Sequence, residues 1–322
     1  MTTEKKRVLI PIPVNYPAEK YLVEHGYEVV SNTPDTSEWL CKNIGNFDAA
    51  IIRGTPITVE ILKASQPRLK LIARHGIGCD NVDVQAATSL GIQVTFTPDA
   101  STNAVAEHTV ALMLALAKEL FPGDRMTKTG HWKEFRKNYE GVELISSTLG
   151  LVGVGRIGTN VAKAAHYGFG MKVLAYDPYA TPGKLDPCIE LLDSRDDLLR
   201  RSDFVSIHMP LTSETKGTVD KAFLSSMKPS AFFINTSRGE IVKEDDLAEA
   251  LRTHIIRGAA LDVFCTEPLP EDNLFRNFEN VICSPHFATI CSATLDRLAL
   301  HSAICVDEVL SGKKISWPVN HL

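Results

Sequence analysis

The chain has 322 residues, of which 44% are hydrophobic and 23% are charged, and its formal net charge at pH 7 is −5. This is an ordinary globular composition, and the length suffices for two domains. The mild negative charge, with no basic cluster larger than Lys5-Lys6-Arg7, argues against a nucleic-acid surface. No apolar run reaches about 18 residues, which argues against a membrane span.

The N-terminus and the cysteines indicate the cellular compartment. The polar N-terminus leads directly into a strand pattern, so no signal peptide is expected. The seven cysteines are scattered, odd in number and often inside apolar runs. We interpret them as reduced, buried thiols of a cytoplasmic protein. No C-x-x-C or H-E-x-x-H sequence indicates a metal site, so no metal is predicted.

Short strand patterns alternate with short helix patterns over residues 1–100. The predicted strands are residues 7–12, 27–30, 48–52, 69–73 and 92–95. The predicted helices are residues 16–24, 36–44, 58–64 and 84–90. Such alternation predicts a parallel, doubly wound sheet, and this part of the chain therefore resembles a small flavodoxin-like domain.

The longest helical pattern before the middle of the chain covers residues 103–120. Asn103 is its expected N-cap, and Phe121-Pro122-Gly123 is its expected end. Such a helix is expected to cross from the first domain to the second. Residues 124–147 are too polar for a core and carry three aromatic side chains among their charges. We interpret this segment as an arm that packs on another subunit, and the alternative is a surface excursion of the monomer.

A glycine-rich turn lies at the centre of the chain, between a strand and a helix. Residues 149–152 form a short apolar run, residues 160–167 have helical spacing, and residues 172–176 form a second strand pattern that ends at Asp177. The turn between the first two has G-x-G-x-x-G spacing at Gly153, Gly155 and Gly158. This combination is typical of a dinucleotide-binding βαβ unit.

The chemistry of that unit explains each residue type. Gly153 allows a tight turn, Gly155 lets a pyrophosphate approach the backbone, and Gly158 lets the helix pack closely on the strand. The free N–H groups and the positive dipole at the start of the helix attract the phosphates. Asp177 would accept hydrogen bonds from the adenosine ribose and repel a 2′-phosphate, which favours NAD. The alternative is that Lys184 or a nearby basic residue accommodates NADP.

The alternation resumes after the glycine motif. The predicted strands are residues 204–208, 231–235, 258–263 and 281–283, and the predicted helices are residues 244–252 and, at the end, 289–310. We therefore predict a first domain of residues 1–100 with 289–322 and a second domain of residues 101–288. A ligand is expected between the two domains, at the carboxyl ends of the strands.

Three ionisable residues come just after apolar strands of the second domain. They are Arg238, Glu267 and His286. Taken singly, each is also compatible with an ordinary loop or capping residue. Together they suit oxidation or reduction at a carbon that bears oxygen. His286 would transfer the proton, Glu267 would hold the imidazole and favour its charged form, and Arg238 would bind a carboxylate or polarise a carbonyl.

These motifs together resemble the D-isomer-specific 2-hydroxyacid dehydrogenase family. The matching segments are residues 153–158 with Asp177, 235–239, 259–268 and 284–286. Residues 74–83 and 103–109 resemble the family's phosphoglycerate dehydrogenase-like branch. The resemblance covers nearly the whole chain. It implies two doubly wound domains with a cleft between them, a flavodoxin-like substrate domain and a Rossmann NAD-binding domain.

The resemblance also implies roles for individual residues. Arg238, Glu267 and His286 would be the catalytic set. The implied NAD contacts are Gly153, Gly155, Arg156, Ile157, Gly158, Asp177, Met209, Thr236, Ser237, Arg238, Asp262 and His286. Asp262 holds the nicotinamide carboxamide in this family, and the alternative is a buried acid that caps a loop.

The implied substrate site lies mainly in the first domain. The substrate carboxylate would rest on backbone N–H groups of the turn Gly76, Ile77 and Gly78, and on Arg238. Arg53 would reach a second anionic group such as a phosphate, unless it is simply a surface arginine. Relatives often have small residues after the histidine, where this chain has Phe287. Phe287 and Met209 would therefore narrow the pocket.

The predicted function is NAD-dependent hydride transfer at C2 of a D-2-hydroxy acid or 2-oxo acid. The leading substrate is 3-phosphoglycerate, followed by glyoxylate or hydroxypyruvate and by bulkier 2-oxo acids. We also expect a homodimer formed through residues 103–147. No C-terminal regulatory domain is expected, because the chain ends soon after the closing helix. The alternatives are an NAD-sensing protein of the corepressor type and a formate dehydrogenase, although the latter has Gln where this chain has Glu267.

Overall fold

The computed structural model describes residues 5–322 and separates them into two compact units. The first unit contains the described residues up to Ser101 together with Thr289–Leu322, and the second contains Thr102–Ala288. Across residues 5–322, no helix has the length and apolar character needed to cross a membrane. Within the same residues, no group of three or more His, Cys, Asp or Glu side chains is arranged to hold a metal ion.

The first unit is built on a five-stranded parallel sheet. Its strands are β1 (Arg7–Ile10), β2 (Glu28–Ser31), β3 (Ala49–Ile52), β4 (Leu71–Arg74) and β5 (Gln93–Thr95). They lie in the order β2-β1-β3-β4-β5, and each neighbouring pair is parallel. This order is that of flavodoxin-like folds. The doubly wound architecture predicted for this part of the chain is confirmed.

Helices cover both faces of this sheet. They are α1 (Tyr16–Glu24), α2 (Ser37–Asn43), α3 (Val59–Ala64), α4 (Val84–Ser89) and the closing helix α12 (Ser292–Leu310). Alternate residues of β3 enter opposite cores: Ala50 and Ile52 join one buried cluster, and Ala49 and Ile51 join the other. A strand that is buried on both faces has a continuous run of apolar residues. This run explains why the sequence predicted the position of β3 well.

The long helix α5 occupies Pro98–Ala117, so both of its predicted ends are wrong. It begins at Pro98 because proline needs no N–H partner in a first turn, and Asp99 there complements the helix dipole. Asn103 is therefore not the N-cap, and its side chain instead accepts a hydrogen bond from Asn160 Nδ2 at 2.7 Å. The helix ends just before Glu119, whose φ of 49° is left-handed and cannot continue a right-handed helix.

The segment that follows α5 is more helical than its composition indicates. Phe121-Pro122-Gly123 does not end a helix but lies inside α6 (Leu120–Lys128), and α7 (Trp132–Asn138) comes next. Neither of these helices has a buried residue. Because both lack the apolar stripe that a periodicity search detects, the sequence did not predict them.

The second unit is built on a seven-stranded parallel sheet. Its strands are β6 (Thr148–Val152), β7 (Lys172–Tyr176), β8 (Ile189–Leu191), β9 (Phe204–Ile207), β10 (Phe232–Asn235), β11 (Gly258–Leu261) and β12 (Val281–Cys283). They lie in the order β12-β11-β10-β9-β6-β7-β8, and all pairs are parallel. The winding reverses between β6 and β9, which is where such sheets bind ligands. The Rossmann-type prediction is confirmed.

Further helices flank this sheet in addition to α5. They are α8 (Arg156–Lys163), α9 (Arg195–Arg201), α10 (Lys221–Ser225) and α11 (Glu244–Arg252). The edge strand β8 and the helices α9 and α10 are absent from the sequence prediction. They are short, and α9 buries only Leu198 and Leu199 among charged neighbours, so neither periodicity nor length reveals them.

Candidate active site

The glycine turn after β6 has the geometry that its spacing predicts. Gly153 has φ of +93°, and a Cβ there would lie 2.8 Å from the carbonyl carbon of His208. A Cβ on Gly158 would lie 2.5 Å from the Gly153 carbonyl oxygen. At Gly155, by contrast, none of the described atoms lies within 4 Å of where a Cβ would be. Two glycines thus allow close packing, and the third leaves open space at the start of α8.

Asp177 is held beside this turn at the end of β7. Its Oδ2 accepts a hydrogen bond from the backbone N–H of Val154 at 3.0 Å, and its Oδ1 accepts one from Tyr179 at 2.9 Å. Arg156 and Ile157 are the first two residues of α8, directly after the N-cap Gly155. The acid, the open glycine and the helix start therefore belong to one local structure.

The loop after β10 is organised by Asn235, a fully buried residue. Its Nδ2 donates to the Arg238 carbonyl at 2.9 Å, and its Oδ1 accepts from both the backbone N–H and the hydroxyl of Ser237, each at 2.9 Å. A Cβ on Gly239 would lie 2.0 Å from the carbonyl carbon of Phe264. The loop that carries Arg238 is therefore packed directly against the loop after β11.

Glu267 and His286 are hydrogen-bonded side chain to side chain, although they follow different strands. The distance from His286 Nδ1 to Glu267 Oε2 is 2.7 Å, and Glu267 Oε1 accepts from the backbone N–H of Phe264 at 3.0 Å. Burial raises the pKa of Glu267, but the hydrogen bonds from His286 and Phe264 and the charges of His286 and Arg238 outweigh burial, so this pKa lies below its usual range. The carboxylate is therefore charged, and His286 Nε2 remains the ring nitrogen available to a reactant.

Asp262, directly after β11, holds the backbone around His286. Its carboxylate is fully buried, with Oδ1 accepting from the N–H of Phe287 at 2.8 Å and Oδ2 from that of Ala288 at 3.0 Å. Burial raises the pKa of Asp262, but hydrogen bonds from His108, Ser284 and these two N–H groups lower it below its usual range. The carboxylate of Asp262 therefore caps the loop that carries His286.

His108 was not predicted as a site residue, yet it contacts this acid. Its Nε2 lies 3.2 Å from Asp262 Oδ1 and 3.1 Å from the Ser284 hydroxyl. The residue lies on α5, far in sequence from the strand ends that guided the prediction. The one feature of the sequence that could have pointed to His108 was its place within the segment 103–109, which resembles the phosphoglycerate dehydrogenase-like branch of the family. Asn235 was also missed as an organising residue, although it ends the strand that leads to Arg238.

The remaining residues predicted in the second unit lie in loops after β9 and β10. Met209 packs against the buried core cluster. Thr236 is buried, and its hydroxyl lies 2.9 Å from that of Thr109. Burial lowers the pKa of the neighbouring His208 to about 4, so this imidazole is neutral at pH 7.

The turn after β4 in the first unit has an open arrangement of backbone N–H groups. Gly76 has φ of +151°, and its carbonyl accepts from the N–H and hydroxyl of Thr97 at 3.0 and 3.2 Å. Within residues 5–322, the N–H groups of Ile77 and Gly78 donate to no other residue. Burial, followed by the charges of Arg53 and Arg74, lowers the pKa of His75 to about 4. Two cationic groups therefore act on a neutral imidazole beside this turn.

Comparison with known proteins identifies the class that the sheet order and these strand-end residues define. Residues 110–288 match the sequence model of the D-isomer specific 2-hydroxyacid dehydrogenase NAD binding domain. The chain belongs to this family, and its second unit is an NAD-binding domain. The family resemblance seen in the sequence is confirmed.

The similar proteins also match the predicted branch of the family. The chain is 41% identical over 282 residues to a D-3-phosphoglycerate dehydrogenase of Methanocaldococcus jannaschii, and the match covers 87% of this chain and 53% of that protein. It is 38% identical over 320 residues to the chloroplastic D-3-phosphoglycerate dehydrogenase 2 of Arabidopsis thaliana, covering 99% of this chain and 51% of that one. The chain thus spans about half the length of the curated relatives it matches.

Solved structures match over almost the whole length of both chains. A protein from Thermus thermophilus has a TM-score of 0.89 and 36% identity, with coverage of 98% of this chain and 100% of that one. A glyoxylate reductase from Paecilomyes thermophila also has a TM-score of 0.89, with 25% identity and coverage of 98% and 99%. These similarities confirm the two-sheet α/β fold class.

Proposed function

We propose that this protein is an NAD-dependent oxidoreductase that transfers a hydride between nicotinamide and C2 of a D-2-hydroxy acid or 2-oxo acid. The observation that carries the proposal is the 2.7 Å hydrogen bond between His286 Nδ1 and Glu267 Oε2, with the charge of Arg238 acting on the same carboxylate. An imidazole held by a carboxylate beside a guanidinium suits proton transfer at an oxygen whose carbon is oxidised or reduced.

The glycine turn supports NAD as the cofactor. The open position at Gly155 and the helix start beside it can accept a pyrophosphate, and Asp177 is held where it can meet a ribose hydroxyl. When bound, NAD supplies the hydride acceptor or donor at its nicotinamide C4. The residues proposed to hold it are Gly153, Gly155, Arg156, Ile157, Gly158, Asp177, Met209, Thr236, Ser237, Arg238, Asp262 and His286.

The chain's own residues would transfer the proton and bind the charged group of the substrate. In the oxidative direction His286 Nε2 accepts the proton of the substrate hydroxyl, and in the reductive direction it donates a proton to the carbonyl oxygen. The charged Glu267 carboxylate stabilises the imidazolium that forms. Arg238 binds the substrate carboxylate and polarises the carbonyl.

Residues of the first unit favour 3-phosphoglycerate as the substrate. The N–H groups of Ile77 and Gly78 suit a carboxylate, and the charges of Arg53 and Arg74 suit a second anionic group. Relatives at about 40% identity are named D-3-phosphoglycerate dehydrogenases. Phe287 follows His286, and its ring is exposed. Because this ring would narrow the pocket, it supports an alternative, a reductase of glyoxylate, hydroxypyruvate or another 2-oxo acid.

An NAD-sensing binding protein is the rival of a different class, and one experiment separates it from an enzyme. The purified protein is given NAD with 3-phosphoglycerate, and NADH with hydroxypyruvate, glyoxylate or larger 2-oxo acids, while NADH absorbance is followed. We expect turnover with at least one acid and a loss of about 100-fold or more in His286→Ala. NADH binding without turnover of any acid would favour the sensor instead.

Exposed apolar side chains support a homodimer through residues 103–147. Four large apolar side chains of this segment are about half exposed or more, and exposed apolar surface of this kind is a feature of interaction sites: Leu120, Phe121, Trp132 and Ile145. Replacing Phe121 and Trp132 with Glu should convert a dimer to a monomer in light scattering. A monomeric wild type would contradict the proposal.

A cytoplasmic location is proposed from the cysteines, since all seven are free thiols. The prediction that these thiols are buried is wrong for most of them: only Cys305 is buried, and Cys265, Cys283 and Cys291 are exposed because they lie at strand ends and in loops. Cell fractionation with an antibody tests this location, and recovery in an extracytoplasmic fraction would contradict it.

A further inference from the structure

We propose that His108 is a positioning residue that fixes His286 for proton transfer by acting through the buried carboxylate of Asp262. This inference rests on the proposed function, because it assigns His286 the role of proton carrier. His108 would not touch the substrate in this arrangement. Its effect would reach His286 through two hydrogen-bonded connections within the second unit.

The first connection joins α5 to the end of β11. His108 Nε2 lies 3.2 Å from Asp262 Oδ1 and 3.1 Å from Ser284 Oγ. A fully buried carboxylate stays charged only when donors surround it. The donors here are His108, the Ser284 hydroxyl and two backbone N–H groups. His108 is thus one of two side chains that stabilise the charged form of Asp262.

The second connection joins Asp262 to the backbone of His286 and of the two residues that follow it. The carboxylate accepts from Phe287 and Ala288 at 2.8 and 3.0 Å, and the Asp262 carbonyl accepts from the N–H of His286 at 2.8 Å. His286 itself has φ of +51°, a left-handed conformation that is uncommon for residues other than glycine. The hydrogen bonds to Asp262 hold the backbone in this conformation.

The two connections make His286 geometry depend on His108. If the His108 donor is lost, the carboxylate binds the N–H groups of Phe287 and Ala288 less firmly. The backbone at His286 then relaxes from its left-handed conformation, and the ring moves relative to Glu267. Small displacements of a proton-transfer group lower the chemical rate more than they lower ligand affinity.

Three variants isolate the hydrogen bond from simple packing. His108→Leu removes the donor at similar size. His108→Gln returns an N–H at a position comparable to the imidazole Nε2. His321→Leu replaces an exposed histidine that lies outside the proposed site and outside residues 103–147, and it serves as the matched control.

Two measurements are made on each variant. The first is steady-state kcat and KM with the acid that the wild type turns over best. The second is amide hydrogen exchange of the peptide containing Phe287 and Ala288, in protein without cofactor. The exchange measurement does not depend on activity.

We expect His108→Leu to lower kcat by about 10-fold or more, with a KM change below about threefold, and to speed exchange at Phe287 and Ala288. His108→Gln should recover most of the lost rate and most of the exchange protection, and His321→Leu should match the wild type in both measurements. Unchanged kcat in His108→Leu would overturn the proposal. So would a lower kcat without faster exchange, or a His108→Gln variant as impaired as His108→Leu. An inactive wild type would instead overturn the proposed function, and unchanged exchange in His108→Leu would then overturn the positioning role separately.

Discussion

Replacing Glu267 with Gln tests the central pair because it removes the charge and keeps the shape. A hydrogen bond to a charged group contributes about 1.5–3 kcal/mol. The side chains of Glu267 and His286 retain 37% and 48% exposure, so solvent screens the pair and the lower end of that range applies. Since about 1.4 kcal/mol corresponds to a tenfold change in rate, we expect kcat/KM to fall about 10- to 20-fold.

The same substitution should change the pH dependence in a definite direction. The pKa of Glu267 lies below its usual range, so its carboxylate is charged throughout the neutral and mildly acidic range. Without this charge, the protonated form of His286 loses its counter-ion. The loss of rate in Glu267→Gln should therefore be present throughout this range, and it should disappear only as the pH falls through the lowered pKa of Glu267.

The assay is initial-rate kinetics in both directions across pH, combined with NADH binding measured by fluorescence. Cofactor affinity should not change, because Glu267 is held by the Phe264 N–H and His286 rather than by the glycine turn. Glu271→Gln, an exposed carboxamide substitution in the same loop, is the matched control. The reasoning is refuted if kcat/KM in Glu267→Gln stays within twofold of the wild type at every pH.

Three further predictions address the cofactor, the buried acid and the substrate. Gly155→Ala should fold normally, since none of the described atoms lies within 4 Å of the new Cβ, yet weaken NADH binding about 10-fold or more in titration calorimetry; unaltered affinity would place the pyrophosphate elsewhere. Asp262→Asn should lose about 2–4 kcal/mol of unfolding free energy at pH 7, because a buried amide N–H₂ then faces a backbone N–H. The folded-state pKa of Asp262 is lowered, so its charge stabilises the protein above the usual carboxyl range and that stability is lost as pH falls through the folded value. Denaturant titrations should therefore show the unfolding free energies of the wild type and Asp262→Asn converging only below about pH 4. A difference in unfolding free energy that is the same at every pH would contradict this. Arg53→Gln should raise KM about 10-fold for 3-phosphoglycerate but not for glyoxylate, and an equal effect on both would remove its role at a phosphate.

The sequence by itself determined the features that depend on local chemistry. Continuous apolar runs located the buried strands, because a strand covered on both faces has no polar residues to interrupt it. The spacing of Gly153, Gly155 and Gly158 predicted the turn, since steric limits on backbone and Cβ act over a few residues. The alternation of strands and helices predicted two parallel sheets, and the order of the strands bears this out.

Only the tertiary structure decided the features that join distant parts of the chain. The contact of Glu267 with His286 was a hypothesis from strand ends, but the burial of Asp262, the donor at His108 and the bracing of Arg238 by Asn235 came from the fold. A residue such as His108 has an ordinary helical neighbourhood in sequence, and its partner lies more than a hundred residues away. Local sequence patterns do not predict such partners, because a hydrogen bond between distant residues depends on the positions of the two atoms in the assembled sheet.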